Sequence, residues 1–274
     1  MTSLERVAPR VASAEPIAPA RFLLDAWTVA QAELRKIAHD PSEMVTRAVQ
    51  PILWLVVFGQ VIAQARAIQT GNVSYMDFLA PGVLAQSALF VAIFFGIAVI
   101  WERDLGVLHK YLVSPASRGA LVTGKALAGG LRALVQALFV YLTAIAIGIH
   151  LRWEVPALVG VALVVVLGAA GFATFSLIIA CLVRTRERFM GIGQILTMPL
   201  FFASSAIYPV SLMPSWLQVL AHLNPLTYQV DALRALMIDG GPSNYPIALD
   251  LVVLVVTLVV MVAVASRLYP RLAQ

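Results

Sequence analysis

Charge is scarce in this chain, and the scarcity excludes most soluble architectures. Only 12% of the 274 residues are Asp, Glu, Lys or Arg, against 61% hydrophobic; soluble domains run at roughly 45–50% apolar. The apolar excess, with a mean hydropathy of +0.89, lies in blocks long enough to cross a hydrocarbon core, about 20 residues per helix. This is the composition of a polytopic membrane protein. Cysteine is nearly absent. The single Cys181 sits in a hydrophobic block, which excludes a disulfide framework or a cysteine-ligated metal and leaves a small apolar packing residue. The four histidines, His39, His109, His150 and His222, fall in different connections without metal-ligand spacing. No Gly-x-Ser-x-Gly elbow occurs. The first 20 residues, rich in Ala and Pro, lack the apolar run of a cleavable signal peptide and read as a disordered tail.

The 19 bases and 14 acids give a net charge of +5 and a pI near 9.7. A basic chain raises the question of nucleic acid. Here the Arg and Lys alternate with hydrophobic blocks and form no stripe, so they report membrane topology and no nucleic-acid partner is expected. Six spans are predicted, near Val45–Gln64, Leu79–Trp101, Leu127–Ile149, Pro156–Val183, Phe189–Tyr208 and Ile247–Arg267. With the N-terminus cytoplasmic, 15 basic residues lie inside. Three (Arg66, Arg152, Arg234) lie outside, and Arg132 lies within the third span. That bias predicts cytoplasmic termini and an even number of spans.

Ahead of the spans, Phe22–Ile37 is amphipathic, with Leu23, Trp27, Ala30, Leu34 and Ile37 at helical spacing. An interfacial helix lying along the membrane is expected. After the fifth span, residues 209–246 are apolar yet cut by Pro209, Pro214 and Pro225 and closed by Gly240, Gly241 and Pro242. Short helices that dip into the outer leaflet and return fit this pattern. Irregular backbone at that depth needs protein or water against it.

Two features bear on chemistry. Gly119 to Ala126 almost spells a phosphate-binding loop, but Ala126 stands where Ser or Thr would hold magnesium. No strand precedes it, so no αβ scaffold is expected to form the amide nest, and this chain is expected to carry no ATPase and no cofactor of its own. Within the spans, Gln86, Ser87, Phe90 and Phe94 in the second, and Gln194, Met198, Phe201 and Ser205 in the fifth, mix aromatic, thioether and amide groups. Gln86, Phe90 and Phe94 share one helix face. Such surfaces suit bulky amphipathic ligands, and core packing explains them equally well. Glu102 and Asp104 flank the membrane end of the second span and Asp231 lies in the re-entrant region. No acid sits mid-span as an ion-coupled carrier would require.

The polar island between the second and third spans carries Glu102-Arg103, Tyr111-Leu112, Ser114-Pro115, Arg118 and Gly124-Lys125. A second motif, Asn224-Pro225-Leu226-Thr227-Tyr228 with Asp231, Arg234 and Leu236, precedes the last span. Together with the interfacial helix and six-span layout, these resemble the type-2 permeases of ATP-binding-cassette exporters, in the drug-resistance and nodulation-factor or lipooligosaccharide branch. The resemblance covers the chain after Ala20. It implies an all-α fold: a tail over residues 1–20 and a permease domain over 21–274, with the interfacial helix at 22–37, a coupling segment at 102–126 and a re-entrant region at 209–246. It implies a second permease copy and two separate ATPase subunits that hold ATP and magnesium. The substrate would be a hydrophobic or amphipathic drug, lipid or glycolipid, moved out across the cell membrane. The ATPase contact would comprise Glu102, Arg103, Asp104, Leu105, Val107, Leu108, His109, Lys110, Tyr111 and Leu112. The second and fifth spans would line the substrate path, and Asn224, Pro225, Tyr228, Asp231 and Arg234 would belong to the outer gate. An ion-coupled carrier and a non-transporting membrane assembly or sensor protein are the alternatives.

Overall fold

A computed structural model of the chain describes residues 19–39, 41–66, 68, 70, 73–106, 116–183 and 185–273. Among these residues the protein is helical, and the one strand-like feature is an isolated antiparallel bridge between Leu151 and Ile238. The helices are α1 (Pro19–His39), α2 (Pro41–Leu53), α3 (Gln60–Ala65), α4 (Tyr75–Asp104), α5 (Arg118–Ala146), α6 (Val155–Leu182), α7 (Arg186–Phe202), α8 (Ser215–Leu223), α9 (Pro225–Met237) and α10 (Ile247–Leu268). A π-helical stretch, Trp54–Gly59, joins α2 to α3, and short 3-10 turns lie at Val210–Leu212 and Tyr269–Ala273.

Five stretches are long and apolar enough to cross a membrane: Thr46–Ala65, Tyr75–Asp104, Arg118–Ala146, Val155–Leu182 and Ile247–Leu272. The fifth predicted span, Phe189–Tyr208, corresponds to α7, whose 17 residues cover about 25 Å at 1.5 Å each. That falls short of a hydrocarbon core of about 30 Å. The helix stops at Phe202 because its last carbonyls are taken from outside. The Asn224 side-chain amide donates to the carbonyls of Leu200 and Ala203 at 2.7 and 2.8 Å, while the Ser204 hydroxyl donates to that of Phe201.

Helix starts follow capping chemistry. Ser74, Ser117, Thr185 and Asn224 each accept a hydrogen bond from a backbone N–H in the first turn of the helix they precede. The Ser117 cap starts α5 nine residues before Leu127, where hydropathy alone put the third span. At the other side of the island α4 runs on to Asp104 and ends where Gly106 adopts φ +70°, a conformation glycine takes without steric cost. Helix therefore enters the island from both sides.

α4 is the central column, packed on α5, α6, α7 and α9. Of its most hydrophobic window 78% is buried within the protein, against 11% for the last span. Small residues permit the close approach: a Cβ at Gly130 in α5 would lie 2.6 Å from the Val166 carbonyl oxygen of α6. α1 lies against α5 through Ala26, Val29, Ala30 and Glu33, while Leu23, Leu24 and Trp27 are exposed on its other side. The protein-facing side of this amphipathic helix is thus its small-residue side, and the large apolar residues point outward.

One irregularity is shared between helices. Pro51 lies inside α2 and, having no N–H, cannot bond the carbonyl of Arg47 four residues back. The Gln136 side-chain amide of α5 donates to that oxygen instead, at 3.3 Å.

Candidate functional site

Three constellations collect the polar residues singled out in the sequence. The first lies at the root of the cytoplasmic island. Lys125, in the second turn of α5, is 1% exposed and its Nζ stands 3.1 Å from Glu33 Oε1 of α1 and 2.6 Å from Glu102 Oε2 of α4. Arg132, two turns further along α5, reaches Glu33 Oε2 at 3.5 Å. Lys125 and Arg132 both sit over the Phe95 ring, at 5.9 and 5.1 Å from its centroid. Four charges from three helices are thus gathered where α4 leaves for the island and α5 returns. Glu102 has its carboxylate inside this cluster, not on the island's surface. The phosphate-loop look-alike of Gly119 to Ala126 is continuous helix, and Lys125 is held by two carboxylates.

Beside it, Arg103 donates to the Val183 carbonyl at 3.3 Å and pairs with Asp104 at 3.0 Å. Asp104 pairs in turn with Arg186 at 2.8 Å, and the Arg186 guanidinium stacks 3.7 Å over the Trp101 ring. This ties the end of α4 to the start of α7. Leu105 projects outward, 71% exposed. Val107, Leu108, His109, Lys110, Tyr111 and Leu112 lie outside the described residues.

The second constellation surrounds the motif before the last span. Asn224 caps α9 and clamps the end of α7, as described above. Pro225 occupies the first turn of α9, where its missing N–H costs nothing. The buried Asp231 carboxylate accepts hydrogen bonds from the Asn244 N–H (2.9 Å), the Tyr245 N–H (3.0 Å), the Ser243 hydroxyl (2.9 Å) and the Asn244 amide (3.2 Å). Arg234 is buried, donates to the Ser205 carbonyl at 2.7 Å and lies 3.8 Å over the Phe78 ring of α4. Counted in the sequence as an outside charge, it is an internal strut. Tyr228 donates to the His222 carbonyl at 2.8 Å and stacks on Tyr245 at 5.1 Å. Burial raises the pKa of the Tyr245 phenol above its ordinary value, and its hydroxyl lies within hydrogen-bond reach of His222 Nδ1.

The third is a partly enclosed cavity of about 140 Å³ between α2 and α4. Gln86, Ser87, Phe90 and Phe94 all line it. The residues named with them in the fifth span are elsewhere: Phe201 is buried edge-on to Trp54 at 5.5 Å, Ser205 is buried, and Gln194 and Met198 are exposed on α7. The opposite wall is instead Thr46, Arg47, Gln50 and Pro51 of α2. Sequence reasoning counted Arg47 only as a topology charge. The signal that could have found it is Pro51, which marks the irregular helix around it. No group of three or more His, Cys, Asp or Glu able to hold a metal occurs among the described residues.

Comparison with known proteins assigns the fold. Residues 25–238 match the family described as ABC-2 type transporter, well over half the chain. The chain belongs to the ABC-2 type transporter family. Members similar to it include the ycf38 protein of Cyanophora paradoxa, 29% identical over 78% of this chain and 74% of the relative. The daunorubicin resistance ABC transporter permease protein DrrB1 of Streptomyces coeruleorubidus is 24% identical over 84% and 81%. The inner membrane transport permease YadH of Escherichia coli K12 is 27% identical over 83% and 87%. As a member of the ABC-2 type transporter family, the chain is a multi-pass membrane protein and an ABC transporter membrane subunit. All three constellations described here have residues within the matched region.

Proposed function

We propose that this chain is the permease of an ATP-driven exporter, working as a dimer with two separate ATPase subunits and moving an amphipathic or hydrophobic substrate outward. The observation that carries the reading is the buried charge cluster at the island's root. ATP-driven motion acts on the spans only through contacts that differ between states. A push on residues 107–112 is delivered at the ends of α4 and α5, and the Glu33–Lys125–Glu102 contacts join those ends to each other and to α1. The island therefore has a stiff base on which an ATPase can act. In this reading α7 with the turn after it completes a sixth crossing, the termini and the island are cytoplasmic, and residues 209–246 fold back at the outer leaflet.

The test replaces Leu108 and Tyr111 together with Asp. Apolar surface docked in the ATPase would then carry unpaired charge. The expected outcome is loss of ATPase co-purification and of transport, with membrane insertion intact; retention of both would sink the assignment. Topology is checked separately in a Cys181→Ala background. A cysteine at Lys110 is expected to resist an impermeant thiol reagent on intact cells, while one at Asn244 is labelled. The reverse pattern would overturn the orientation. The ion-coupled alternative draws on Asp250, whose buried carboxylate has no hydrogen-bond partner among the described residues. It predicts transport that follows an ion gradient and ignores ATPase loss.

A further inference from the structure

We propose that Asp250, in the first turn of α10, is a proton-binding site, and that the proton it holds keeps the N-terminal end of α10 seated against α9. Asp250 is 0% exposed. Both side-chain oxygens are sealed from solvent, and no hydrogen-bond donor among the described residues reaches either one. α10 packs on α9, α6, α5 and the last 3-10 turn, and every residue of these elements is described. An ionised carboxylate taken out of water without donors or counter-charge is among the costliest groups a fold can hold. A proton removes the charge at its source.

The charges around it point the same way. The charged group that acts on Asp250 is a second acid, Asp231 of α9, and it repels. Asp231 is built to stay ionised, with the N–H groups of Asn244 and Tyr245 and the Ser243 hydroxyl all donating to it. Two neighbouring carboxyls of which one is so stabilised do not both ionise in a buried setting. No cation is turned toward Asp250. Arg234 of α9 donates to the Ser205 carbonyl and covers the Phe78 ring, and Arg132 of α5 reaches Glu33 of α1. α5 meets the opposite end of α10 through Gly119 and Ser266, which places Arg118 at that end; the last 3-10 turn, with Tyr269 and Arg271, follows it. α6 carries one titratable side chain, Cys181, in its last turn. Tyr245, just before α10, is a neutral phenol that both acids act on. A metal or hydrated ion would need several oxygen ligands and room around the carboxylate. These sealed oxygens offer neither, whereas a proton needs no cavity.

The experiment compares the purified chain with Asp250→Asn in dodecyl maltoside, a detergent without a carbonyl group. Melting is followed from about pH 5 to about pH 7, above the ordinary aspartate range near 3.9. Nothing donates to Asp250, so neither Asn nor, should Asn fail to fold, Leu at this position strands a donor. Across this range the unfolded chain has lost the proton and the folded protein keeps it. The folded state therefore binds one proton more, and its stability relative to the variant falls as pH rises. The expected loss is roughly tenfold in the folding equilibrium per pH unit, seen as a melting temperature that drops progressively behind that of the variant. A constant difference over the range would overturn the proposal. A second readout needs no variant to fold: at pH 7 the infrared spectrum of the unaltered protein is expected to contain a carboxylic-acid C=O stretch, which ionised carboxylates lack. Absence of that band would overturn the proposal, and so would a band that persists in Asp250→Asn. On the orientation proposed above, this end of α10 faces outside and the proton comes from the external medium. Holding a proton differs from coupling to one, since transport need not follow a proton gradient. Neither readout involves an ATPase or the orientation, so failure here leaves the permease reading standing.

Discussion

Replacing Lys125 with methionine is expected to prevent recovery of a stable, monodisperse permease. Lys125 and Glu33 are each 1% exposed, and the Lys125–Glu102 contact at 2.6 Å is the shortest in the cluster. Removing one member of a buried ion group leaves carboxylates in a low-dielectric setting without their counter-charge, which costs about 3–5 kcal/mol. Folded proteins hold net stabilities of only about 5–15 kcal/mol, so the loss consumes much of the margin. Arg132 still faces Glu33, so part of the cluster's charge balance survives the substitution. Neutralising Glu102 in the same chain, Glu102→Gln with Lys125→Met, leaves the Glu33–Arg132 pair in place and should restore much of the folded protein, since a neutral amide of like volume carries no Born penalty. Size-exclusion profiles and melting curves in detergent would check both. An unchanged melting temperature for Lys125→Met would show that the cluster contributes nothing to the fold.

The second large effect is expected at the outer end. Asp231→Asn keeps the shape of the side chain but replaces an oxygen with an NH2 group facing donors. The carboxylate now accepts from the N–H groups of Asn244 and Tyr245 and from the Ser243 hydroxyl; an amide has one oxygen for all of them. Hydrogen bonds to a charged group contribute about 1.5–3 kcal/mol each. Loss of the arrangement should therefore release the loop between α9 and α10. Hydrogen exchange at the amides of Asn244 and Tyr245 is expected to quicken on the order of a hundredfold, as local opening becomes easier. Exchange matching the unaltered protein would mean the loop is held by something other than Asp231.

The long helices were legible because hydropathy and helix length are direct consequences of a hydrocarbon solvent. Val155–Leu182 and Ile247–Leu268 fall within a residue or so of their predicted bounds. α5 was misplaced at its start because Arg118, Gly119, Gly124 and Lys125 depress hydropathy, although Ser117 offered a readable cap. The pairing of charges was not legible. Glu33 sits at helical spacing from Val29 and Ala30, which puts a carboxylate on the packed side of α1, but nothing in one sequence says that Lys125 lies opposite. The cavity was half legible: the α4 face follows from four-residue spacing, whereas its partner wall depends on how α2 bends. Met198 and Gln194 show the limit of that approach, since a suitable mixture of side chains does not say which way a helix turns them.

Pro51 and Gln136 each look like a fault when a span is scored alone, one as a helix breaker and the other as a polar burden in the third span. Joined by the 3.3 Å bond to the Arg47 carbonyl, they cancel: the proline supplies a vacant acceptor, and the glutamine has a donor to place. The irregularity in the first span therefore belongs to two helices at once. The first span cannot swing away from the third there without exposing a bare carbonyl to lipid. Any route by which a molecule leaves the α2–α4 cavity sideways must open elsewhere along the seam.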